Sequence, residues 1–525
     1  METPSDEKKM ITEPLLSTTK EGGFRTLPFI IANEALEKVA SYGLMPNMIV
    51  YLMGEYGMET TTGSNVLFFW SAATNFMPIV GAFVADSFAG RFRTIGFGSM
   101  ASLLGLILLW LTAMIPQARP SCNQILNGCE PPKVSQLILL YCSFGLMSIG
   151  AGGIRSSSLA FGADQLGKRD NLKSSGSLAD LLQLTKTSLF TGFAQVLVAS
   201  YKNRHLTLSS QNSNRLYYHR KGSTLLVPSE KLRFLNRACT IRNPEQDLNP
   251  DGKASDPWSL CTVDQVEELK ALLKVIPLWS TGIMMAVNIS QNSFPLLQAA
   301  SMDRHITSNF EIPAGSFSIF MIVSLTVWVP LYNHIILPLA SKIRGKPTRL
   351  SIKQRMGIGL LLSCVSMAVS AIVETVRREV AIKEGLSDDP QAVSYMSAMW
   401  LVPQYCLNGM AEAFTAIAQI EFYYSEFPRS MSSIAATLLL LGMAVANLVA
   451  SSIMSAVDDV TKRGGKESWL SSNINKGHFD YYCWLLTGLS LLNLMYFLVC
   501  SRAYGPCVGE GSRKVWDEED EMREE

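Results

Sequence analysis

Residues 94–116 read TIGFGSMASLLGLILLWLTAMIP, a run of 23 residues without a charged side chain. A helix of about 20 apolar residues is long enough to cross the roughly 30 Å hydrocarbon core of a bilayer. This stretch therefore predicts a membrane span. It follows Arg91 and Arg93, and basic residues beside a span favour the cytoplasmic side of the membrane.

The same criteria predict about ten spans and an all-α, polytopic membrane protein. The segment 178–200 is excluded because Lys186 and several hydroxyl residues interrupt its apolar character. Only 17% of the residues are charged, against about 25% in an average soluble domain. Four predicted spans precede a long polar stretch and six follow it, near 28–53, 64–85, 94–116, 134–160, 271–298, 314–340, 355–374, 394–423, 430–456 and 480–501.

Alternate loops are rich in Lys and Arg, which predicts that both termini are cytoplasmic. The basic loops follow the second, fourth and sixth predicted spans, and the central polar stretch is basic as well. We expect a plasma-membrane location. The predicted organisation is a cytosolic tail, a four-span bundle, a cytosolic linker with amphipathic and basic segments, a six-span bundle and an acidic tail, at 1–27, 28–166, 167–268, 269–502 and 503–525.

Charged residues occur within the first predicted span, where a charge costs about 2.5–3.5 kcal/mol. Glu34 and Lys38 are four residues apart, in the order that favours a helical ion pair, and Glu37 precedes Lys38. Tyr42 lies one turn further on. Desolvation and a nearby ammonium act on a carboxyl group in opposite directions, so this group suits reversible proton binding. A purely structural ion pair is the alternative.

The fourth span ends in a glycine-rich segment, whose glycines allow close backbone approach, and leads into Arg155. A buried arginine needs an acid, and we expect Glu412, within the span near 394–423, to pair with it and link the two halves of the chain. Snorkelling of both side chains to water is the alternative. Three amides on one helix face suit either a polar cavity or hydrogen bonds between helices: Asn288, Gln291 and Asn292.

Two loop features complete the candidate sites. Asp86, Gly90 and Arg91 form an acid–glycine–basic turn that could latch the bundles in one conformational state, with an ordinary turn as the alternative. Cys122 and Cys129 flank a loop predicted to be extracellular, where a disulfide would be stable. No His/Cys cluster or catalytic constellation is apparent, so the sequence predicts no metal, cofactor, enzymatic activity or nucleic-acid partner.

Together these segments resemble the plant nitrate/peptide transporter family, a branch of the proton-dependent oligopeptide transporters in the major facilitator superfamily. The resemblance rests on Glu34-xx-Glu37-Lys38, Asp86-xxx-Gly90-Arg91, Gly152-Gly-Ile-Arg155, the segments around Trp400-Leu-Val-Pro-Gln404 and Ala411-Glu412, and Glu421-Phe-Tyr-Tyr-Ser-Glu-Phe-Pro-Arg-Ser-Met431. It covers almost the whole chain and is strongest for the subfamily of low-affinity nitrate carriers. It implies proton coupling through Glu34, Glu37 and Lys38, and coupling or substrate binding through Arg155 and Glu412.

The sequence departs from that family in two ways. The seventh family helix carries a histidine in the best-understood nitrate site, whereas the corresponding segment here has Asn288 and Ile289. The family has twelve spans, and the resemblance implies that this chain lacks helices five and six, about 60–70 residues. We therefore expect a proton-coupled symporter of nitrate. The alternatives are peptide, hormone or glucosinolate transport, or a non-transporting chain that regulates full-length relatives in a homo- or hetero-oligomer.

Overall fold

The computed structural model describes residues 23–85, 89–120, 122–123, 128–167, 189–206, 217–219, 227–345, 350–428 and 431–507. Helices dominate these residues. They are α1 (Gly23–Tyr56), α2 (Thr60–Val84), α3 (Arg91–Met114), α4 (Val134–Gly167), α5 (Leu189–Lys202), α6 (Pro244–Asp247), α7 (Val263–Ile289), α8 (Ser293–Ala300), α9 (Ile319–Leu331), α10 (Leu337–Arg344), α11 (Ile352–Lys383), α12 (Val402–Glu426), α13 (Ser432–Thr461) and α14 (Phe479–Tyr504).

Strands are confined to three two-stranded pairs in the connecting segments. β1 (Cys122–Asn123) pairs with β2 (Gly128–Cys129), and β4 (His305–Thr307) pairs with β5 (Phe310–Glu311), both antiparallel. β3 (Met302–Asp303) and β6 (Ser394–Ser397) are parallel. Cys122 and Cys129 are direct partners in their pair. Residues opposite each other in an antiparallel pair have Cα atoms at a separation a disulfide can bridge, and the disulfide itself stays a prediction.

Eight segments among the described residues are long and apolar enough to cross a membrane. α1 and α12, with 34 and 25 residues, are also long and carry the charged groups Glu34, Glu37, Lys38 and Glu412. The described part of the chain therefore has four long helical spans before α5 and six after α6, with α9 and α10 counted together as one span, which agrees with the predicted spans. α5 has 14 residues, about 21 Å of helix, and is too short to cross.

Local sequence sets where several helices begin and change direction. α7 and α11 each begin with a capping box, in which Thr262 exchanges hydrogen bonds with Gln265, and Ser351 with Gln354. These side chains satisfy amides that would otherwise be unpaired at the helix start. A π-helical turn, Tyr332–Ile336, joins α9 to α10 in the segment that contains Pro330 and Pro338.

The long helices form two bundles. Successive helices run in opposite directions, so each side of a bundle contains the starts of some helices and the ends of others. We call the side with the starts of α1 and α3 the Arg91 face, and the side with the end of α1 and the start of α2 the Glu59 face. In the first bundle α4 packs along α2 and α3, and in the second α12 packs along α9 and α11. α5 and the 3-10 turn Arg233–Cys239 pack on α7, so the intervening segment is attached to the second bundle. The predicted domain boundaries stay predictions.

A fully buried ion pair lies near the Glu59 face of the second bundle. Arg377 donates two hydrogen bonds to Glu374, at 2.7 and 2.8 Å, and both side chains are 0% exposed. Arg377 also donates to Asn475 Oδ1 at 2.7 Å, and Gln298 donates to Glu374 at 2.8 Å. The pair thereby connects α8, α11 and the segment before α14.

Replacing Arg377 with methionine should strongly destabilise the protein, because Glu374 would remain as an uncompensated buried charge. Loss of one partner from such a pair costs about 3–5 kcal/mol. Thermal unfolding of the detergent-purified protein measures the effect. Arg378→Met is the matched control, since that side chain is only partly buried, and adding Glu374→Gln to Arg377→Met should recover part of the loss. Equal unfolding temperatures for the two single variants would contradict this account.

Candidate functional site

Glycines bring α4 close enough to α2 and α3 to seat it in the centre of the first bundle. A Cβ atom at Gly153 would lie 2.7 Å from the carbonyl oxygen of Thr94, and one at Gly152 would lie 2.7 Å from the Cβ of Met77. Gly150 is equally tight against Ser102. The predicted role of these glycines in close helix approach is therefore confirmed. The next charged residue along α4, Arg155, then faces α1.

Arg155 pairs with Glu37 of α1. Its Nη2 donates to Glu37 Oε1 at 2.7 Å and its Nε donates to Oε2 at 3.1 Å. The side chains are 12% and 7% exposed. Ser41 donates to Glu37 Oε1 at 2.9 Å and accepts from Arg155 at 3.4 Å. A bidentate, charge-assisted pair of this kind is strong and geometrically specific.

The predicted pair of Arg155 with Glu412 is not formed. Among the ion pairs of the described residues, Arg155 is joined to Glu37 and none includes Glu412. Both acids lie on central helices, but α1 packs beside α4 within the first bundle whereas α12 belongs to the second. Adjacency within the bundle decides the partner.

The predicted helical pair of Glu34 and Lys38 is also absent from the ion pairs of the residues that the structure covers. Lys38 instead lies within electrostatic range of Arg155, Glu37 and Glu34. The three ionisable side chains of α1 and Arg155 thus form one charged group. The side chain of Tyr42 and all of Asp86 lie outside the described residues.

A cavity of about 170 Å³ adjoins this group. At about 30 Å³ per water molecule, it could hold several waters or one small solute. Glu37 and Ser41 reach it from α1, and Thr74 and Ser99 add hydroxyl groups. The remainder of the lining is largely apolar, with Leu36, Leu44, Trp70, Leu103, Leu106 and Met147 among its residues.

Glu412 belongs to a polar stripe along α12. Gln404, Asn408, Glu412 and Thr415 follow one another at helical spacings of four, four and three residues. The buried atoms Gln404 Oε1, Asn408 Oδ1 and Thr415 Oγ1 have no hydrogen-bond partner. Buried polar atoms usually find one, so the stripe suits contact with water, a proton carrier or a solute.

The amides at the end of α7 and directly after it bind neighbouring helices of their own bundle. Asn288 donates to Ser363 at 2.9 Å and to Ser490 at 2.8 Å, and Tyr482 donates to Gln291 at 3.3 Å. These contacts agree with the alternative of hydrogen bonds between helices, because they join α7 to α11 and α14. Asn292 is exposed at the start of α8.

The predicted turn between α2 and α3 contains Gly90 with φ of 76°, a conformation that favours glycine. Its N–H donates to Ala85 O at 3.0 Å, and its carbonyl accepts from Thr94 N. Arg91 begins α3 directly afterwards. The glycine is therefore required by the turn, and a gating role for Gly90 and Arg91 stays a prediction.

A row of polar contacts joins the two bundles at the Glu59 face, and the sequence reading missed it. Lys462 binds Glu59 at 2.7 Å, Thr61 donates to Asp458 at 3.4 Å, and Asn65 exchanges hydrogen bonds with Ser455 and Ser451 at 2.9 and 2.8 Å. We call this row the α2–α13 latch. The sequence signal for this latch is a set of polar residues at helical spacing, at 61 and 65 on α2 and at 451, 455, 458 and 462 on and beside α13.

Lys462 of the latch keeps its charge over a wide pH range. Hydrogen bonds from Lys462 to Glu59 and then Asp458 raise the pKa of this lysine above its ordinary value. The stabilisation from the cation is therefore complete below the usual lysine pKa and is lost only as pH rises above it. Within the described residues, every hydrogen bond between the two bundles lies in the half of the protein near the Glu59 face.

The sequence matches known proteins over most of its length. The profile of the POT family, PTR2, matches residues 183–470. Protein NRT1/PTR FAMILY 1.2 of Arabidopsis thaliana is 51% identical over 576 residues, covering 97% of this chain and 94% of the relative. Protein NRT1/PTR FAMILY 1.3 of the same plant is 45% identical over 492 residues, covering 93% and 98%.

Solved structures match the fold. The crystal structure of an auto-inhibited POT family peptide transporter superposes with a TM-score of 0.60 at 18% identity, covering 91% of this chain and 97% of that one. The POT family transporter PepTSo gives a TM-score of 0.57 at 17% identity, covering 91% and 98%. At these identities the likeness concerns the fold alone.

Replacing Asn65 with leucine should weaken closure at the Glu59 face, because two hydrogen bonds across the bundles are lost. At about 0.5–1.5 kcal/mol each, the closed population should fall about 5- to 150-fold relative to the open one. Energy transfer between fluorophores at Glu130 and Lys466, exposed on the two bundles, reports the separation. Asn75→Leu is the control, because Asn75 bonds only to its own helix. Identical transfer in both variants would remove Asn65 from the latch.

Proposed function

The chain belongs to the POT family of transporters, and on that premise we propose that it is a proton-coupled symporter. Family membership makes it a multi-pass membrane transporter rather than an enzyme. The substrate we propose is nitrate, the solute favoured by the resemblance to low-affinity nitrate carriers. The alternative substrates are peptides, hormones and glucosinolates.

The pairing of Glu37 with Arg155 beside a solute-sized cavity carries this proposal. While Glu37 is ionised, it neutralises Arg155 and occupies the guanidinium. Protonation of Glu37 removes its charge, so Arg155 becomes available to an anion. A guanidinium presents parallel N–H donors that match a planar oxyanion. Proton binding and anion binding would therefore favour each other at this site.

The net charge of the cycle fixes its driving force. Moving one elementary charge against 100 mV costs about 2.3 kcal/mol. One proton with one nitrate is neutral, so only the proton concentration gradient would drive uptake. A second proton, for which Glu34 and Glu412 are the candidate carriers, would add the membrane potential as a driving force.

The distribution of contacts supports alternating access. The bundles are joined by the α2–α13 latch at the Glu59 face, which the positive-inside pattern assigns to the exterior. We therefore interpret this conformation as closed to the outside and open towards the cytoplasm. Both termini would be cytoplasmic, and the membrane would be the plasma membrane. Transport then requires the latch to open once in each cycle.

A non-transporting role is the second candidate, and the exposure of α1 favours it. Leu36 and Val39 on this helix are 70% and 71% exposed. In a sealed bundle the first helix should instead be covered by its neighbours. A first bundle without two family helices could not enclose a pathway by itself. On this reading the chain associates with full-length relatives and regulates them.

Proton-driven nitrate uptake into proteoliposomes tests the proposal. Uptake should rise as the external pH falls from about 7.5 to 5.5, and Glu37→Gln should abolish that dependence because the residue can no longer bind a proton. The chain and a version with the relative's additional residues restored are both assayed. Glu230→Gln, on an exposed linker pair with Arg233, is the control.

Two outcomes would contradict the proposal. Unchanged pH dependence in the Glu37→Gln variant would remove Glu37 from coupling. No nitrate uptake in either version, with normal membrane insertion, would reject nitrate as the substrate.

A further inference from the structure

The two bundles repeat one packing plan, which assigns a counterpart to each helix. α3 packs along α4 as α11 packs along α12, and α2 packs on α4 as α9 packs on α12. By this correspondence α1 matches α7, and α2 matches the α9–α10 segment. The plan predicts which faces of the first bundle should be covered.

The counterpart of α1 is covered by two consecutive helices. α7 packs against both α13 and α14. Ala286 and Val287 are buried in a cluster that includes Tyr482 and Leu486. In the part of the chain that the structure describes, no pair of helices covers α1 in this way. Its apolar residues Phe29, Leu36, Val39 and Val50 are 51–77% exposed and follow a helical stripe.

The α9–α10 span, whose preceding turn Ala314–Ser318 packs against α1, is also bare. α2 packs along α13 across the two bundles, so the matching α9–α10 segment should have an equivalent partner. It is instead the least buried of the eight apolar spans. Its exposed apolar residues run along its length at Ile319, Ile322, Val323, Val327, Ile335 and Leu339. We call the space between α1 and α9–α10 the open seam.

Chemistry and length indicate what fits the open seam. Asn333 and His334 are exposed within the α9–α10 span, and polar groups on a spanning helix usually face protein or a water-filled cavity. Residues 168–188, which connect α4 to α5, number 21, about half of what two crossings need. The alignment to NRT1/PTR FAMILY 1.2 has 576 positions and includes 97% of this chain, about 509 of its 525 residues, so about 67 aligned positions have no residue of this chain.

We propose that α1 and α9–α10 form a docking surface for a two-span helical hairpin supplied by another polypeptide. The hairpin has the chemistry of α13 and α14: two apolar helices joined by a short turn, packing on α1 and on α9–α10 at once. Docking buries the exposed stripe of α1 and separates the cavity beside Glu37 from the bilayer. This inference concerns assembly and holds whichever solute the protein carries.

Capture of such a hairpin tests the proposal directly. The tagged probe is the longest segment of NRT1/PTR FAMILY 1.2 without a counterpart in this chain, co-expressed with the full chain and purified through its tag. A hairpin from residues 352–426 of this chain is the control probe. The missing-segment probe should retain at least five times more chain than the control.

Bulky substitutions test where on the chain the hairpin binds. Leu36→Trp with Val39→Trp should reduce capture at least fivefold by blocking the stripe. Leu492→Trp with Val499→Trp, at similarly exposed positions on α14, should leave capture unchanged. Energy transfer across the α2–α13 latch checks that each variant is folded.

The remaining outcomes overturn the proposal. Equal capture of both probes, or equal capture by both pairs of tryptophan variants, removes the docking surface. Retained lipid without hairpin in native mass spectrometry means that lipid fills the seam. Crosslinks between two chains at Val39 without hairpin mean that a second copy fills it.

The docking proposal and the transport proposal fail separately. Capture without nitrate uptake rejects the transport proposal alone, whereas full uptake by the chain without hairpin rejects the docking surface alone.

Discussion

The charge of Arg155 needs a partner in an apolar environment, and much of the first bundle is arranged to provide it. An unpaired charge inside a membrane protein is costly. Close glycine contacts hold α4 against α2 and α3, and this position directs Arg155 to α1. Glu37 then meets it with both oxygens, supported by Ser41. The cavity lies against this pair because the charges and hydroxyl groups prevent complete apolar packing.

The second bundle contains a separate buried ion pair. Glu374 and Arg377 are sealed from solvent and held by amides from two other segments. Glu37 lines the cavity of about 170 Å³, whereas neither Glu374 nor Arg377 lines either of the two cavities found in the described residues. The contrast is the one that the proposed function requires, with a structural ion pair in the second bundle and a proton- and solute-binding pair in the first. Burial alone would not have distinguished them.

The sequence predicted the elements well because each span is a local property. Apolar length and loop charge are readable within about 20 residues. The spans and the glycine contacts agree with the structure, and α5, which covers the described part of the excluded segment 178–200, is too short to cross. The partner of Arg155 was predicted wrongly because it depends on which helices are neighbours. Glu37 and Glu412 are both acids within spans, and only the packing of α1 beside α4 separates them. The latch was missed because most of its residues are small and neutral.

The glycine contacts between α3 and α4 have a mechanical consequence. Cβ atoms added at Gly98, Gly105, Gly150 or Gly153 would lie within 3 Å of the opposite helix, so little side-chain material separates the two backbones there. Sliding between packed helices normally proceeds by small rotamer adjustments of interlocking side chains, and this interface has few to adjust. The two helices are therefore expected to move together as one rigid unit. Deformation within the first bundle would then fall on the other contacts, such as those of α1 with α2 and α4.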